Sequence, residues 1–168
     1  PEPRVEFYRH MDAANVDLKA FTEGFYRKLC TAELGAVQDT LRYLKHETQV
    51  WFEVTTLLIP GQNDSAPEIE ALTQWFAENL GPDVPLHFTA FHPDFKMTDI
   101  PRTPHQTLIR AREIGIKNGL RYVYVGNVHD RDGSSTYCHG CGVRLVGRDW
   151  YELSDWNLTD EGNCAKCG

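Results

Sequence analysis

The fold of this chain is decided by the ten residues at 50–59, VWFEVTTLLI, which Pro60 and Gly61 follow. The run is rich in β-branched and aromatic residues, and Glu53 is its one charged member. Such a sequence is typical of a strand that is covered on both faces, and strands of this kind occur mainly in parallel sheets. Because proline and glycine commonly end regular elements, we predict a buried strand that stops at residue 59.

Amphipathic helices are predicted on both sides of this strand. Upstream, apolar residues recur at helical spacing at Leu34, Val37, Leu41 and Leu44. Downstream, they recur at Ile69, Leu72, Phe76 and Leu80. Asp64 or Ser65 offers an N-cap for the second helix, and Gly81 is a suitable residue to end it.

The same alternation extends through the first 130 residues. Three further strands are predicted at 15–19, 86–92 and 121–126, with helical stretches after Thr22 and over about 107–118. Strands that alternate with helices indicate parallel βαβ units of an α/β protein. Right-handed crossovers build either a doubly wound sheet or an arc of a (β/α) barrel, and four strands are too few to close a barrel.

Four of the five cysteines form two C-x-x-C-G motifs, at Cys138, Cys141, Cys164 and Cys167. Two cysteines at this spacing can direct both sulfurs at one cation, and four thiolates suit tetrahedral zinc, with iron as the alternative. A closed shell of four sulfurs has no open position for a substrate, so we expect a structural metal in a zinc ribbon. Four free thiols or two disulfides would be the alternative, but the spacing favours the metal.

The change in composition near residues 130–135 predicts two domains. Residues 1–130 would form the partial barrel, and residues 131–168 would form the ribbon, joined by the turn-rich segment 132–135. The chain opens with Pro1 and ends one residue after its last C-x-x-C cysteine, so we expect it to be part of a longer protein. A partial barrel agrees with this expectation, because the strands that complete it would belong to the rest of the longer protein.

Charge and composition exclude several classes of protein. The 41% apolar residues suffice for a packed core, and no run reaches the roughly 18–20 apolar residues that a membrane span needs. The net charge is −7, without a cluster of Lys or Arg, which argues against nucleic-acid and membrane-surface binding. Free cysteines and the absence of a visible leader predict a cytoplasmic protein.

Polar residues near the predicted strand ends are candidates for a functional site, since chemistry in β/α folds lies at the carboxyl ends of the strands. Asp17 and Lys19 alternate with Leu18 and should point to the same side of the first strand. His92 ends the third predicted strand, and Asn127 and His129 follow the fourth. Taken singly, an ion pair or a satisfied histidine is the commoner explanation for such residues.

Several segments together resemble the glycyl-radical-enzyme activases of the radical SAM superfamily, and most closely the AmmeMemoRadiSam-system radical SAM enzymes. The segments are residues 15–29, 51–53, 58–64, 88–96, 126–130 and 137–142. The resemblance implies that Asp17, Lys19 and His92 contact S-adenosylmethionine. It also implies a [4Fe–4S] cluster that cleaves this cofactor to a 5′-deoxyadenosyl radical. The substrate is left open: a protein or peptide would be one candidate, and Asn127 and His129 are expected to face it on the ground of their strand-end position alone.

The chain departs from this family in one respect. The family holds its cluster with a C-x-x-x-C-x-x-C motif, which these 168 residues do not contain, and Cys30 cannot replace three ligands. The catalytic cysteines would therefore lie upstream of Pro1, and we expect this fragment alone to be inactive and to pair with another copy through an open sheet edge. The alternative function is a protein-binding module that uses the ribbon, with Trp150, Tyr151 and Trp156, on an α/β scaffold.

Overall fold

Parallel strands alternating with helices make up the larger part of the chain, and a small antiparallel sheet follows them. The computed structural model describes residues 2–168. The first part contains α1 (Glu2–Tyr8), β1 (Ala13–Asp17), α2 (Glu23–Phe25), a π-helix (Tyr26–Cys30), α3 (Leu34–Glu47), β2 (Trp51–Leu58), α4 (Ala66–Leu80), β3 (Leu86–Ala90), α5 (His105–Lys117) and β4 (Val123–Gly126). The second part contains α6 (Arg131–Ser134), β5 (Thr136–Tyr137), β6 (Arg144–Asp149) and β7 (Glu152–Trp156).

The order of the strands decides between the two architectures that the sequence left open. The larger sheet runs β1-β2-β3-β4, and every neighbouring pair is parallel. A doubly wound sheet reverses its strand order at a switch point, whereas a barrel adds each strand on the same side as the last. The sheet is therefore a four-stranded arc of the barrel type, which confirms the predicted partial α/β fold.

The two faces of this sheet differ in composition. Alternate residues of the strands are buried beneath the helices, including Val54, Leu58 and Phe88, each 0% exposed. The residues between them carry the polar groups of the opposite face, which we call the inner face. Its polar members are Asn15, Asp17, Glu53, Thr55, His87, Thr89 and Tyr124. Closed β/α barrels fill this face with bulky apolar side chains, so a polar inner face points to a binding surface.

The apolar core lies entirely within the first part of the chain. Its buried cluster begins at Leu18 and ends at Val125. Tyr26, Phe76 and Phe88 are the largest of its fully buried side chains. Burying a side chain of this size contributes about 1.5–3 kcal/mol, so the sheet and its helices are stabilised mainly by apolar contact.

Local signals in the sequence located the helix ends well. The Ser65 side chain accepts a hydrogen bond from the Glu68 amide, as expected of an N-cap, and Gly81 ends α4 with φ of 82°. Strand ends were located less well. The first strand covers Ala13–Asp17, two residues earlier than predicted, and the third ends at Ala90, so Lys19 and His92 lie just beyond their strands.

The segment predicted as a turn-rich linker is instead a short packed helix, α6. Asp130 caps it by accepting a hydrogen bond from the Gly133 amide at 2.8 Å. Gly133 is buried, and a Cβ added there would overlap the Val125 side chain of β4. Ser135, 1% exposed, bonds the amide of Arg148 in β6. The second part is thus attached directly to the last strand of the arc.

None of the helices within residues 2–168 is both long enough and apolar enough to cross a bilayer.

Candidate functional site

The Asp17 and Lys19 side chains form an ion pair at the carboxyl end of β1. Nζ of Lys19 lies 2.9 Å from Oδ2 of Asp17, with side chains 41% and 49% exposed respectively. Leu18, between them, is fully buried and holds both neighbours on the opposite side of the backbone. The two charges are therefore adjacent, oriented alike and open to a ligand.

The backbone at Lys19 is held by two other residues, Tyr26 and Asn63. Its amide donates to the Tyr26 hydroxyl at 3.0 Å, and its carbonyl accepts from Nδ2 of Asn63 at 2.6 Å. Asn63 is 3% exposed, and it also bonds the Leu57 carbonyl and the Ile59 amide. Burial raises the pKa of Tyr26 to about 12, so this hydroxyl stays protonated. Lys19 is thereby positioned by Tyr26, 7 residues away, and by Asn63, 44 residues away, a role that sequence reasoning missed.

His92 lies in the loop after β3, at the same edge of the sheet as the ion pair. Its side chain is exposed, and the preceding residue, Phe91, is buried. Thr103 anchors this point, since its hydroxyl accepts from the Phe91 amide at 2.8 Å and donates to the Leu58 carbonyl at 2.6 Å. One strand separates β1 from β3, so their ends lie about 9–10 Å apart. A ligand of cofactor size is needed to contact both.

Asn127 and His129 contact different parts of the structure, the parallel sheet and the ribbon respectively. Asn127 adopts φ of 61°, and its side-chain amide donates to the Ala90 carbonyl at 3.2 Å, which ties β4 to β3. His129 contacts the ribbon instead, with Nδ1 at 3.0 Å from Oδ1 of Asp149 and its ring 5.5 Å from that of Trp150. The two residues therefore do not converge on the ion pair of β1.

A second polar cluster occupies the inner face, and the sequence had suggested no role for one of its members, His87. Nε2 of His87 lies 2.6 Å from Oε2 of Glu53, and the imidazole stacks on Tyr124 at 5.1 Å between ring centroids. The hydrogen bond from His87 lowers the pKa of Glu53, although partial burial raises it. Burial also raises the pKa of Tyr124.

The alternation of polar residues along β2, β3 and β4 was the signal available for this cluster. Glu53 and His87 are 34 residues apart. They meet because β2 and β3 pair in parallel, with Thr55 opposite His87. That register cannot be obtained from the residues of either strand alone.

The ribbon extends this polar cluster beyond the sheet. The Tyr124 hydroxyl hydrogen-bonds Oγ1 of Thr136 at 2.9 Å, and Thr136 in turn accepts from the Arg148 guanidinium. A cavity of about 570 Å³ is lined by Glu53, His87 and Tyr124 of the inner face, together with Arg148 and the hairpin turn at Trp150. The sheet and the ribbon therefore share one site.

The four cysteines of the ribbon form a compact group that can hold one metal ion. Their sulfurs all lie within 4.8 Å of one another, and the pairs Cys138 with Cys167 and Cys141 with Cys164 are 3.6 and 3.8 Å apart. Tetrahedral zinc with Zn–S bonds of about 2.3 Å requires sulfurs about 3.8 Å apart, so the arrangement fits the ion. Cys30 lies outside the group, half-buried against the core.

Backbone hydrogen bonds of the ribbon act on the sulfur of Cys138 and hold the second C-x-x-C turn. The amides of Cys141 and Gly140 direct hydrogen bonds at the sulfur of Cys138 and lower the pKa of this thiol to about 6. The second C-x-x-C turn is held by Asn157, whose carbonyl accepts from the Ala165 amide and whose amide donates to Leu145. Two separated parts of the chain are thus brought to one metal site.

Comparisons with known proteins identify a sequence relative and a structure of related fold. No protein-family model matches the chain. It is 41% identical over 159 residues to the uncharacterized protein MJ0808 of Methanocaldococcus jannaschii, in an alignment that covers 94% of this chain and 47% of that protein. The chain therefore spans about half the length of this curated relative.

A solved structure with the same fold is a domain of a pyruvate-formate lyase-activating enzyme from Bacteroides vulgatus. The superposition has a TM-score of 0.63 and covers 75% of this chain and 74% of that domain, at 16% sequence identity. At this identity the likeness is one of fold. The chain is thus a relative of the M. jannaschii protein, built on the fold of an activating-enzyme domain.

Proposed function

We propose that the chain is the C-terminal part of a radical SAM enzyme of the activating-enzyme type, and that Asp17, Lys19 and His92 bind S-adenosylmethionine. The observation that carries the proposal is the exposed ion pair at the end of β1, on a fold shared with an activating-enzyme domain. The segments that resemble radical SAM activases include both residues of this pair.

The chemistry of the pair suits the amino-acid end of S-adenosylmethionine. The cofactor carries an α-ammonium and an α-carboxylate, which can pair with Asp17 and Lys19 respectively. The two protein charges satisfy each other at 2.9 Å until such a ligand separates them. We propose that the His92 imidazole, on the same edge of the sheet, bonds the ribose or the adenine.

This chain does not contain the residues that would hold an iron–sulfur cluster. Its four grouped cysteines belong to the ribbon, at the other end of the molecule's sequence, and Cys30 is single. When bound by other residues of a longer protein, a [4Fe–4S] cluster supplies the electron that cleaves S-adenosylmethionine. The residues described above bind and orient the cofactor for that step.

We also propose that the ribbon is a domain of its own from residue 131, and that its metal is structural zinc. Four thiolates close the coordination shell and leave no position for a substrate. Iron in the same four-sulfur site would give a coloured protein, whereas zinc gives a colourless one, so absorbance and elemental analysis distinguish them.

The test uses the full-length protein from its native gene, purified and reconstituted without oxygen. With a reductant and S-adenosylmethionine we expect 5′-deoxyadenosine as a product. D17N and K19M should each bind the cofactor at least about tenfold more weakly, because each removes one charge-assisted interaction. Equilibrium dialysis with labelled S-adenosylmethionine measures this directly.

A matched control is D83N, which breaks the exposed ion pair between Asp83 and Arg121, 2.8 Å long, at the opposite end of the strands. D83N should bind like the wild type. If the reconstituted wild type forms no 5′-deoxyadenosine, the radical reaction is excluded and a protein-binding module becomes the better explanation. If D17N and K19M bind like D83N, the assignment of the cofactor site is wrong.

A further inference from the structure

The cavity between the inner face and the ribbon has the size of a small-molecule site. Its volume of about 570 Å³ falls within the roughly 300–1,000 Å³ that ligand pockets occupy. β2, β3 and β4 form its floor, and the β6–β7 hairpin forms one wall. Asp17, at the end of β1, and Lys19, just beyond it, are not among the residues that line it.

Aromatic rings surround the opening. Trp51 belongs to β2 and Tyr122 directly precedes β4, whereas Trp150 and Tyr151 come from the hairpin turn. Trp51 is 60% exposed and Tyr151 95% exposed, so both present large apolar surfaces to a ligand. Trp150 has φ of 53°, a conformation that a bulky residue rarely adopts and that recurs at binding sites.

The polar lining favours an anion. The Glu53 carboxylate is already paired with His87 at 2.6 Å. Arg148 also lines the cavity, and among the described side chains, those of residues 3–168, no carboxylate lies within ion-pair distance of its guanidinium. The guanidinium of Arg148 donates a single side-chain hydrogen bond among these residues, to Thr136, so most of its N–H groups are available to a ligand.

We propose that this cavity binds a small aromatic carboxylate. The carboxylate pairs with Arg148, whose planar fork suits two parallel hydrogen bonds, and the ring lies among Trp51, Trp150 and Tyr151. The Glu53 and His87 pair lies at the floor, where it can hydrogen-bond a polar group of the ligand. This site is separate from the cofactor residues on β1 and does not depend on the radical reaction.

The proposal gives the ribbon a part in ligand binding. Arg148 and Trp150 belong to the β6–β7 hairpin, which is held by the second C-x-x-C turn through Asn157. Loss of the metal would therefore disorder the hairpin, and the cavity would lose one wall together with the guanidinium of Arg148. Binding should require the metal even though no sulfur contacts the ligand.

The test uses the 168-residue chain loaded with zinc and labelled with ¹⁵N. Four tryptophan indole signals are available: Trp51 and Trp150 line the cavity, whereas Trp75 and Trp156 do not. Titration with 2-naphthoate should shift the first two signals saturably and leave the other two unchanged. The neutral isostere 2-naphthamide should bind about tenfold more weakly, since it lacks the charge that pairs with Arg148.

R148Q should lose the preference for naphthoate over naphthamide, and R148K should retain part of it. R144Q is the matched control, because Arg144 lies on the same strand but pairs with Asp155 at 2.7 Å outside the cavity. The zinc content of each variant and the dispersion of its ¹⁵N NMR spectrum show whether the ribbon has folded. Equal shifts at all four indoles, no saturation, or an unchanged preference in a folded R148Q or R148K would each overturn the proposal.

Discussion

The two parts of this chain are stabilised in different ways. The apolar core runs from Leu18 to Val125, and the helices and parallel strands are packed around it. In the ribbon, the buried apolar positions among the described residues are Val146 and the cysteines Cys138 and Cys164. Large apolar side chains such as Leu153 and Trp156 are instead 64% and 65% exposed. The comparison teaches that one part is stabilised by apolar burial, whereas the other has little buried apolar surface and needs the metal that we propose for its four cysteines.

The largest effect is expected from losing the metal. C164S removes a ligand that is only 7% exposed, and the ribbon should then unfold, because metal binding supplies about 10–16 kcal/mol to structural zinc peptides. Amide signals of residues 136–168 should lose their dispersion, while those of the parallel sheet keep it. Elemental analysis should show that the zinc is lost.

C30S is the control for this experiment, since Cys30 lies outside the metal group. It should retain one zinc per chain and a folded ribbon. Collapse of the parallel sheet in metal-free C164S would show that the two parts are not stabilised separately.

An intermediate effect is expected in the core of the first part. Phe88 lies on a central strand and is 0% exposed, so F88A should lower the free energy of unfolding by about 3–5 kcal/mol. Zinc affinity should be unchanged, because the ribbon does not use this side chain. Chemical denaturation and a competitive chelator assay measure the two quantities.

F95A provides the contrast, since Phe95 is 84% exposed and its truncation should change stability by less than about 0.5 kcal/mol. A fall in zinc affinity in F88A as large as the fall in core stability would contradict the separation of the two parts.

The smallest effect concerns the Glu53 carboxyl, where the two parts meet. Its pKa is lowered from the ordinary value of 4.5, first by the hydrogen bond from His87 and last by the charge of Arg148. A lowered pKa means that the folded protein favours the ionised carboxylate. The ionised carboxylate therefore contributes to the free energy of unfolding. This contribution is complete above pH 4.5 and is lost as the pH falls below that value. For such a half-exposed pair it amounts to less than about 1 kcal/mol.

Titration of the Glu53 carboxyl by ¹³C NMR tests this expectation. H87Q should raise the pKa of Glu53 clearly. The hydrogen bond from His87 is the main contact that lowers this pKa, and without it the effect of partial burial, which raises the pKa, is no longer opposed. R148Q should raise it by less. A larger rise in R148Q than in H87Q would mean that the ribbon, and not the sheet, controls this carboxyl.

Different features of the chain could be predicted to different extents. The caps at Ser65 and Gly81 and the two C-x-x-C turns were correct because the residues that define them are neighbours in sequence. The first strand was placed two residues late, since its ends depend on pairing with β2. The composition of residues 132–135 predicts a linker, but the same turn-forming residues are compatible with a short helix, and only the contact with Val125 favours the helix.

The amino-acid sequence by itself determined the alternation of strands and helices, the four-cysteine group and the adjacent charges of Asp17 and Lys19. Each of these depends on spacings of a few residues, which local geometry converts into structure. The tertiary structure alone decided the β1-β2-β3-β4 order, the pairing of Glu53 with His87 and the cavity that Arg148 shares with Trp51. These contacts join residues far apart in the chain, and their formation depends on strand register and on the docking of the ribbon against β4.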